Sequence, residues 1–273
     1  MRALSPLEDD PAKWFEWILS SKNEPHLSQV QAVKVKVLER YDLYSNSILE
    51  LNSLFEECWT SDQSNSLRVC YSSRSSSRNA LVAAILLHQV ESDRVSSSYC
   101  QYCGLTYNPR TLDHYLPKGK FPEFSVMCKN LIPCCYDCNE LKGECWLKDG
   151  CRGIVNLYFD KIPSSRYLFA RTGPAPDLEF FLSDDSESYG DLEGTIRHHF
   201  DQLDLLNRYR LASGSIISEI ANLVMEFGVD GTRERLIEEQ WRFTKGHSPN
   251  YWRVALCEGL ANDPAFLEAL PNL

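Results

Sequence analysis

The chain has 273 residues, 43% of them hydrophobic and 24% charged, and its formal net charge is −10. That length and composition predict a globular protein with a sizeable core, in one large or two modest domains. Without an apolar run of roughly 18 residues or a recognisable signal peptide, a cytoplasmic protein with no membrane contact is expected. The acidic balance argues against a strong freestanding nucleic-acid binder, because affinity for phosphate comes mainly from Lys and Arg.

A helical N-terminal region is predicted for residues 1–95. The Asp-Asp-Pro run at 9–11 is a favourable helix start. The apolar residues after it predict one apolar face, made of Trp14, Phe15, Trp17 and Ile18. From about residue 28 to residue 59, apolar residues recur every three or four positions, which predicts one long helix with a narrow seam. A helix packed within its own domain is favoured over a seam that docks on a partner.

Residues 61–78 are rich in serine and contain Arg68, Arg74 and Arg78. This composition is typical of a flexible loop, so a solvated linker is favoured over an arginine-serine segment that contacts nucleic acid. Residues 79–91 return to a helical period, with Leu81 and Ile85 in periodic positions.

The C-terminal region, residues 161–273, is predicted to begin with a short hairpin and to continue as helices. Extended segments are expected at 154–159, 166–170 and 178–182, with a Gly-Pro-Ala-Pro turn at 173–176 before the last of them. Helices are expected at about 192–206, 209–227, 231–243, 250–259 and from Pro264. The fold class expected for the whole chain is therefore α+β, and mostly helical.

Two Cys-x-x-Cys pairs, Cys100/Cys103 and Cys135/Cys138, bracket 31 residues in the central region, residues 96–160. Zinc binds four ligands in a tetrahedron, and a Cys-x-x-Cys knuckle presents two thiolates to one ion, so the pairs predict a closed, structural zinc site. A reducing cytosol would keep the eleven cysteines available as thiols. Cys134 is left out of the predicted shell, because only Cys135 forms a Cys-x-x-Cys pair with Cys138.

The interval between the pairs contains the dipeptide Asp113-His114, and Asn139 follows the last cysteine at the start of an expected helix. A carboxylate and an amide oxygen are hard ligands suited to Mg²⁺, which takes its remaining ligands from water and substrate phosphate. Adjacent residues of a strand point to opposite faces, so a bulge or turn would be needed to bring Asp113 and His114 to one site. The region is near neutral, with seven Lys or Arg against six Asp or Glu from residue 100 to residue 152.

The order of these residues resembles the HNH endonuclease superfamily with its ββα-metal motif. The corresponding stretches here are CQYC, LDHYLPK, KNLIP, CYDCN and LKG, within about 45 of the 273 residues. The resemblance implies a central zinc-braced ββα-metal (HNH) motif in the α+β fold. Asn139 stands where some members carry histidine, a common variant that is expected to affect metal preference.

The resemblance assigns a role to each motif residue. His114 would be the general base that deprotonates the attacking water, while Asp113 and Asn139 would hold one catalytic Mg²⁺ or Mn²⁺. Asn130 would hydrogen-bond across the hairpin and keep the His114 loop in place, although an ordinary loop asparagine is the alternative. Lys118 or Lys142 could contact the scissile phosphate, although a solvated lysine is favoured at both positions.

The implied activity is hydrolysis of phosphodiester bonds of DNA, leaving 5′-phosphate and 3′-hydroxyl ends. The stretch from DHYLPK to NLIPCCYDCN further resembles the HNH subunits of bacterial anti-phage defence systems of the Septu type, in which an ATPase partner accompanies the nuclease. Two alternatives stay open: a nuclease that cuts RNA such as tRNA, and a non-catalytic zinc-dependent binding protein. A nuclease this acidic is expected to rely on a partner to hold its nucleic-acid substrate.

Overall fold

The computed structural model describes residues 1–93, 98–174 and 177–272. The chain forms two compact units, an N-terminal unit of Ala3–Tyr102 and Asn108–Lys161 and a C-terminal unit of Met1–Arg2, Cys103–Tyr107 and Ile162–Leu273. The boundary predicted between residues 95 and 96 lies outside the described residues. Within the described ranges, no helix combines the length and the apolar character needed to cross a bilayer.

Helices and short antiparallel sheets make up an α+β fold in which helix predominates, as the sequence predicted. The helices are α1 (Pro11–Ser20), α2 (His26–Gln31), α3 (Lys34–Asn46), α4 (Ser61–Ser72), α5 (Ser76–Ser92), α6 (Tyr136–Lys142), α7 (Glu193–Gln202), α8 (Leu205–Gly246), α9 (Trp252–Ala261) and α10 (Pro264–Ala269). The strands are β1 (Thr111–His114), β2 (Leu131–Cys134), β3 (Leu147–Lys148), β4 (Cys151–Arg152), β5 (Leu168–Thr172) and β6 (Leu178–Leu182). They pair in sequence order as antiparallel two-stranded sheets, β1–β2, β3–β4 and β5–β6.

The first helix, α1, begins where the sequence predicted it. Asp10 is the N-cap and its carboxylate accepts a hydrogen bond from a backbone N–H two residues on, while Pro11 takes the first helical position. Phe15, Ile18 and Leu19 form the buried face of the helix. Trp17, expected on the same apolar face, is exposed.

The single long helix predicted over residues 28–59 is wrong. The segment instead forms α2, α3 and a 3₁₀ helix at Ile48–Ser53, and residues 54–59 are not helical. Val33 leaves the helical conformation between α2 and α3, with φ −114° and ψ 5°. Serine and asparagine side chains compete with a helix by bonding to nearby backbone, so the Ser-Asn-Ser run at 45–47 ends α3 although the apolar spacing continues.

The serine-rich segment predicted as a flexible loop is a helical hairpin, formed by α4 and α5. Thr60 and Gln63 form a capping box at the start of α4, and the Ser75 hydroxyl caps α5 by accepting from the N–H of Arg78. Leu67 is among the α4 residues buried in the core of the N-terminal unit. The loop prediction from composition is wrong for two reasons. Several of the serines lie at helix ends, and a small number of apolar residues is enough to pack the two helices.

Most of the connection between β1 and β2, residues 115–130, lies in the core of the N-terminal unit, whereas residues 118–120 are exposed. Phe121 and Phe124 are fully buried, and Glu123 between them is buried as an ion pair with Arg40 of α3, with 2.9 Å from Nε to Oε1. The other Glu123 oxygen accepts from the indole N–H of Trp59 at 2.9 Å. A buried carboxylate requires partners of this kind, so the pair fixes the connection against α3.

The hairpin predicted from residues 166–170 and 178–182 is confirmed as β5 and β6. Residues 175–176 of the predicted turn lie outside the described residues. The extended segment predicted at 154–159 is wrong, because polar side chains close a turn there. Asp160 Oδ2 accepts from the N–H of Asn156 at 2.8 Å, and Asn156 Oδ1 accepts from the N–H of Tyr158 at 3.1 Å.

The C-terminal unit is helical after β6, as predicted. The helices expected at 209–227 and 231–243 are parts of α8, which is interrupted at Gly228, where φ is 70°. Phe180 of β6, Tyr209 of α8 and Trp252 of α9 form an aromatic core, and the last two rings stack with centroids 5.9 Å apart.

Candidate metal centre and nuclease site

Four cysteines meet as the sequence predicted. The Sγ atoms of Cys100, Cys103, Cys135 and Cys138 all lie within 4.8 Å of one another, and the four residues are buried. A tetrahedral zinc ion with Zn–S bonds of about 2.3 Å holds its sulfurs about 3.8 Å apart. The cluster is compact enough to bind a metal such as zinc after small side-chain adjustments, and its four thiols complete a closed shell.

Backbone N–H groups donate to three of these sulfurs. Cys100 Sγ accepts from the N–H of Cys135 at 3.3 Å, Cys103 Sγ from Leu105 at 3.4 Å, and Cys135 Sγ from Cys138 at 3.5 Å. Hydrogen bonds to a charged group favour its charged form, so these donors favour the thiolates that bind zinc. Cys135 is also the N-cap of α6, where the positive end of the helix dipole acts in the same direction.

Cys134, the neighbouring cysteine, lies outside the cluster. It pairs with Thr111 across the β1–β2 sheet, and the threonine hydroxyl lies 3.5 Å from its Sγ. Burial, and after it the charge of Asp113, raises the pKa of the Cys134 thiol far above its ordinary range. Because zinc binds the thiolate, a thiol with such a raised pKa is a poor zinc ligand.

β1 and β2 form an antiparallel pair in which Asp113 lies opposite Ile132 and His114 lies opposite Leu131. Both Asp113 and His114 line one cleft, although neighbours within a continuous strand point to opposite faces. His114 is the last residue of β1, and the connection to β2 starts directly after it.

The short helix α6 brings Asn139 to the same cleft. The helix begins directly after Cys135, so the cysteine cluster fixes its first turn. The Asn139 Nδ2 atom donates to the carbonyl oxygen of Leu112 at 3.4 Å, which ties α6 to β1. The amide oxygen is the atom that Asn139 can offer to a cation.

The Asp113 carboxylate is buried and bonded at both oxygens. Lys142 Nζ lies 2.9 Å from Oδ1, and the hydroxyl of Tyr102 donates to Oδ2 at 3.0 Å. Burial raises the pKa of Asp113, and the charge of Lys142 offsets this only in part. Lys142 is itself buried and donates to the carbonyl oxygen of His114 at 2.9 Å. The solvated lysine expected at position 142 is therefore wrong, because the buried carboxylate requires a cation beside it.

One ring nitrogen of His114 is left able to accept a proton. Nε2 lies 2.9 Å from the carbonyl oxygen of Ser125, which only accepts, so Nε2 carries the hydrogen of the neutral ring and Nδ1 is the basic atom. The Ser125 hydroxyl donates in turn to the carbonyl oxygen of Leu67 in α4 at 2.7 Å. Burial lowers the pKa of His114 from 6.5 to about 3, and the positive charge of Lys118 is the next largest cause. The imidazole is therefore neutral at neutral pH, the form in which it can act as a base.

Asn130 is fully buried and braces the connection that follows His114. Its Oδ1 accepts from the N–H of Leu116 at 2.8 Å, and its Nδ2 donates to the carbonyl oxygens of Leu116 and Phe124 at 3.1 and 3.3 Å. The N–H of Tyr115 donates to the carbonyl oxygen of Asn130 at 2.9 Å. These bonds hold the residues after His114 in one conformation.

The cleft that Asp113, His114 and Asn139 share has a volume of about 700 Å³. Its walls include residues that the sequence did not assign to the site, namely Tyr71, Arg74, Arg78, Asn79, Val82 and Arg110. All but the last of these belong to the α4–α5 hairpin. The arginine-serine run was the available signal for them, and its low apolar content indicated a loop instead.

Comparison with known proteins finds a distant sequence relative but no match among family models or solved structures. No protein-family model matches the chain, and no solved structure matches it. The chain is similar to Protein ea31 of Escherichia phage lambda, with 28% identity over 193 residues that cover 64% of this chain. The match spans 65% of the phage protein, which is less than two thirds of its length. That name states no activity, so the function rests on the chemistry of the site.

Proposed function

We propose that this protein is a metal-dependent endonuclease of the HNH type that hydrolyses phosphodiester bonds of DNA. The observation that carries the proposal is the convergence of Asp113, His114 and Asn139 on one cleft. A carboxylate, a neutral imidazole and an amide oxygen are the groups that a one-metal phosphodiesterase requires. The order of these residues along the chain, which resembles the HNH superfamily, supports the same assignment.

His114 is the proposed general base. Its Nδ1 atom takes the proton from the water that attacks phosphorus, while the Nε2–H bond to Ser125 keeps the ring oriented. Protonation of the buried ring is unfavourable in the free protein, as the lowered pKa of His114 indicates. The negative charge of a bound phosphate offsets this cost.

Asp113 and Asn139 are the residues that would hold the divalent cation, Mg²⁺ or Mn²⁺. Their carboxylate and amide oxygens are hard donors of the kind that these ions prefer. Lys142 Nζ interacts with one lone pair of the Asp113 Oδ1 atom. A carboxylate oxygen has a second lone pair, and this is the position at which Asp113 would bind the cation. When bound, the cation supplies charge stabilisation to the phosphate and to the leaving 3′ oxygen.

Zinc in the four-cysteine cluster braces the motif in this proposal. Four thiolates fill a tetrahedral shell, so no coordination position is left for water or phosphate. The cluster joins the knuckle before β1 to the start of α6. It thereby fixes Asn139 relative to Asp113.

A protein partner is the second part of the proposal, and an ATPase subunit of an anti-phage defence complex is the partner that the Septu-type resemblance favours. The net charge of −10 opposes tight binding of nucleic acid by the chain alone. Along α8, large apolar side chains are exposed, which a partner would cover: Leu211, Met225, Ile237 and Trp241. The long N-terminal seam considered as a docking surface is not formed, so it supports no partner.

Cleavage by the purified protein tests the nuclease proposal. Supercoiled plasmid and total RNA are incubated separately with the wild-type chain and Mg²⁺ or Mn²⁺, alongside His114→Ala. His88→Ala is the matched control, because His88 lies on α5 outside the cleft and bonds to Ser92. Plasmid cleavage that is lost in His114→Ala and kept in His88→Ala would support the proposal.

Other outcomes separate the alternatives. Cleavage of RNA alone would make RNA the substrate. Cleavage that persists in His114→Ala would exclude His114 as the base. If a folded, zinc-loaded chain cut neither polymer, with or without an ATPase partner, the non-catalytic zinc-dependent binding protein would be favoured.

A further inference from the structure

Four cationic side chains line the cleft beside Asp113 and His114, namely Arg74, Arg78, Arg110 and Lys118. None of the four forms an ion pair with a carboxylate of the described residues. Cations elsewhere in the same unit, such as Arg40 and Arg152, are paired with acids. In a chain with a net charge of −10, unpaired cations around one cleft are a local reversal of charge.

Two of these cations are held on one aromatic ring next to His114. Tyr71 meets the His114 ring edge to face, with centroids 4.5 Å apart. Arg78 Cζ lies 4.2 Å and Lys118 Nζ lies 5.3 Å from the centroid of the Tyr71 ring. Cation–π contacts of this kind orient both cations before a ligand arrives.

Holding these cations together is unfavourable in the free protein. Partial burial is the largest cause that lowers the pKa of Lys118, and the positive charges of Arg78 and Arg68 lower it further. The Arg78 Nε atom is buried with no hydrogen-bond partner among the described atoms. Of the two acids in the lining, Asp113 is already paired with Lys142 and Glu144 is exposed. An anion in the cleft would relieve the repulsion between these cations.

We propose that Arg74, Arg78 and Lys118 form a phosphate grip, which binds the sugar-phosphate backbone of the nucleic acid beside the scissile bond. The inference rests on the proposed nuclease function and states how that site holds its substrate. Arginine presents a planar fork that matches phosphate oxygens, and lysine adds a point charge. Contacts to phosphate carry no base information, so the grip binds without strong sequence preference.

The salt dependence of binding tests the phosphate grip. The protein carries His114→Ala so that the substrate stays intact, and a fluorescently labelled DNA oligonucleotide is titrated in Mg²⁺ buffer at several salt concentrations. Each lost phosphate contact reduces the slope of log K against log salt by about 0.7 for single-stranded and about 0.9 for duplex DNA. Arg74→Gln and Arg78→Gln are each expected to show this change, with binding about tenfold weaker.

The matched control is Arg242→Gln, which removes an exposed arginine of the C-terminal unit that pairs with Glu238 and Glu239. Its slope should equal that of the parent. Arg78→Lys separates charge from packing, because it keeps the charge and should keep the slope while it loses the planar fork. Circular dichroism melts verify that each variant is folded. Unchanged slopes in Arg74→Gln and Arg78→Gln, or an equal loss in Arg242→Gln, would overturn the phosphate grip.

Failure of the grip and failure of the nuclease are distinguishable. Plasmid cleavage that depends on His114, together with unchanged slopes, would keep the nuclease and reject the grip. If the wild-type chain cuts neither DNA nor RNA but the slopes of the arginine variants are reduced, the grip would be kept and the nuclease rejected. A labelled RNA oligonucleotide of the same sequence decides which backbone the cleft prefers. If inorganic phosphate at the same concentration as the DNA displaced the oligonucleotide, the cations would form a site for a small anion, and the grip would be overturned.

Discussion

Two regions of the N-terminal unit line the same cleft, but only one of them contains a recognisable sequence motif. The β1–β2 pair and α6 lie in a stretch of sequence in which two Cys-x-x-Cys pairs bracket Asp113-His114, a pattern that is visible in the chain. The α4–α5 hairpin carries serines and arginines without a motif. The first could be predicted because zinc restricts both the type and the spacing of its ligands. The second could not, because a cationic wall needs only charge, from any element that the fold brings near.

The same contrast applies to stability. The central motif depends on buried polar groups, such as Asp113 and Asn130, whose partners are obligatory. The α4 helix depends on a cap and on packing contacts that are individually weak. Substitutions in the first region should therefore cost much more than substitutions in the second, and the following variants test that order.

The largest effect is expected from the cysteine cluster. Cys138→Ser leaves three thiols at the proposed zinc site, and zinc in a structural site of this kind contributes on the order of 10 kcal/mol, so the chain should lose zinc and the region of β1, β2 and α6 should lose its cooperative unfolding. Zinc analysis and thermal unfolding measure both. Cys58→Ser is the control, because Cys58 is exposed and outside the cluster. A Cys138→Ser protein with full zinc content and a wild-type Tm would contradict the structural role of the site.

The buried ion pair should give the next largest effect. Lys142→Met leaves the Asp113 carboxylate buried with the Tyr102 hydrogen bond, which should cost about 3–5 kcal/mol. The pKa of Asp113, already raised by burial, should rise further, so the folded state binds the proton more tightly than the unfolded state. The variant should therefore be most stable at acid pH and lose stability as pH rises through that raised pKa.

Urea unfolding across a pH series measures this prediction, with the exposed lysine variant Lys13→Met as control. Destabilisation of Lys142→Met that is equal at every pH would contradict the assignment to Asp113.

Asn130→Ala should give a smaller loss. It removes the side-chain bonds to Leu116 and Phe124 in a fully buried position, which should cost about 2–3 kcal/mol in unfolding free energy. If the nuclease proposal holds, cleavage should fall by about 10²-fold, because the residues after His114 lose their brace. Asn52→Ala, at an exposed position, is the control for both measurements. A variant with wild-type stability would show that the brace is dispensable.

The smallest effect is expected at the start of α4. Thr60→Ala removes the capping box with Gln63 and should lower the unfolding free energy by about 1 kcal/mol. Asn65→Ala, at an exposed position within α4, should be neutral or slightly stabilising, because alanine is the better helix former. Urea unfolding of both variants measures the difference. A loss in Thr60→Ala as large as in Lys142→Met would remove the contrast between the two regions.

Within the candidate site, residue types with restricted chemistry were the predictable part. The cysteines meet as expected, and Asp113, His114 and Asn139 line one cleft. The groups that orient His114 could not be predicted, because the ring bonds to the backbone carbonyl of Ser125, and any residue type carries such a carbonyl. The burial of Lys142 was missed for a related reason. A lysine is solvated by default, and only the buried Asp113 beside it changes that.

Features that depend on neighbours along the chain could be predicted without a structure. These are the start of α1 at Asp10, the β5–β6 hairpin, the cysteine cluster and the α+β class. Caps, turns and metal knuckles act over a few residues, so their signals are local.

The packing of α4 and α5 into the core and the cationic wall of the cleft depend instead on tertiary contacts, which the sequence does not show. Helix propensities differ by less than about 1 kcal/mol per residue for most residue types, whereas burial of one large apolar side chain contributes about 1.5–3 kcal/mol. The faces that the fold buries therefore outweigh local preference, and they bring Arg74 and Arg78 of a serine-rich segment to the cleft that contains Asp113 and His114.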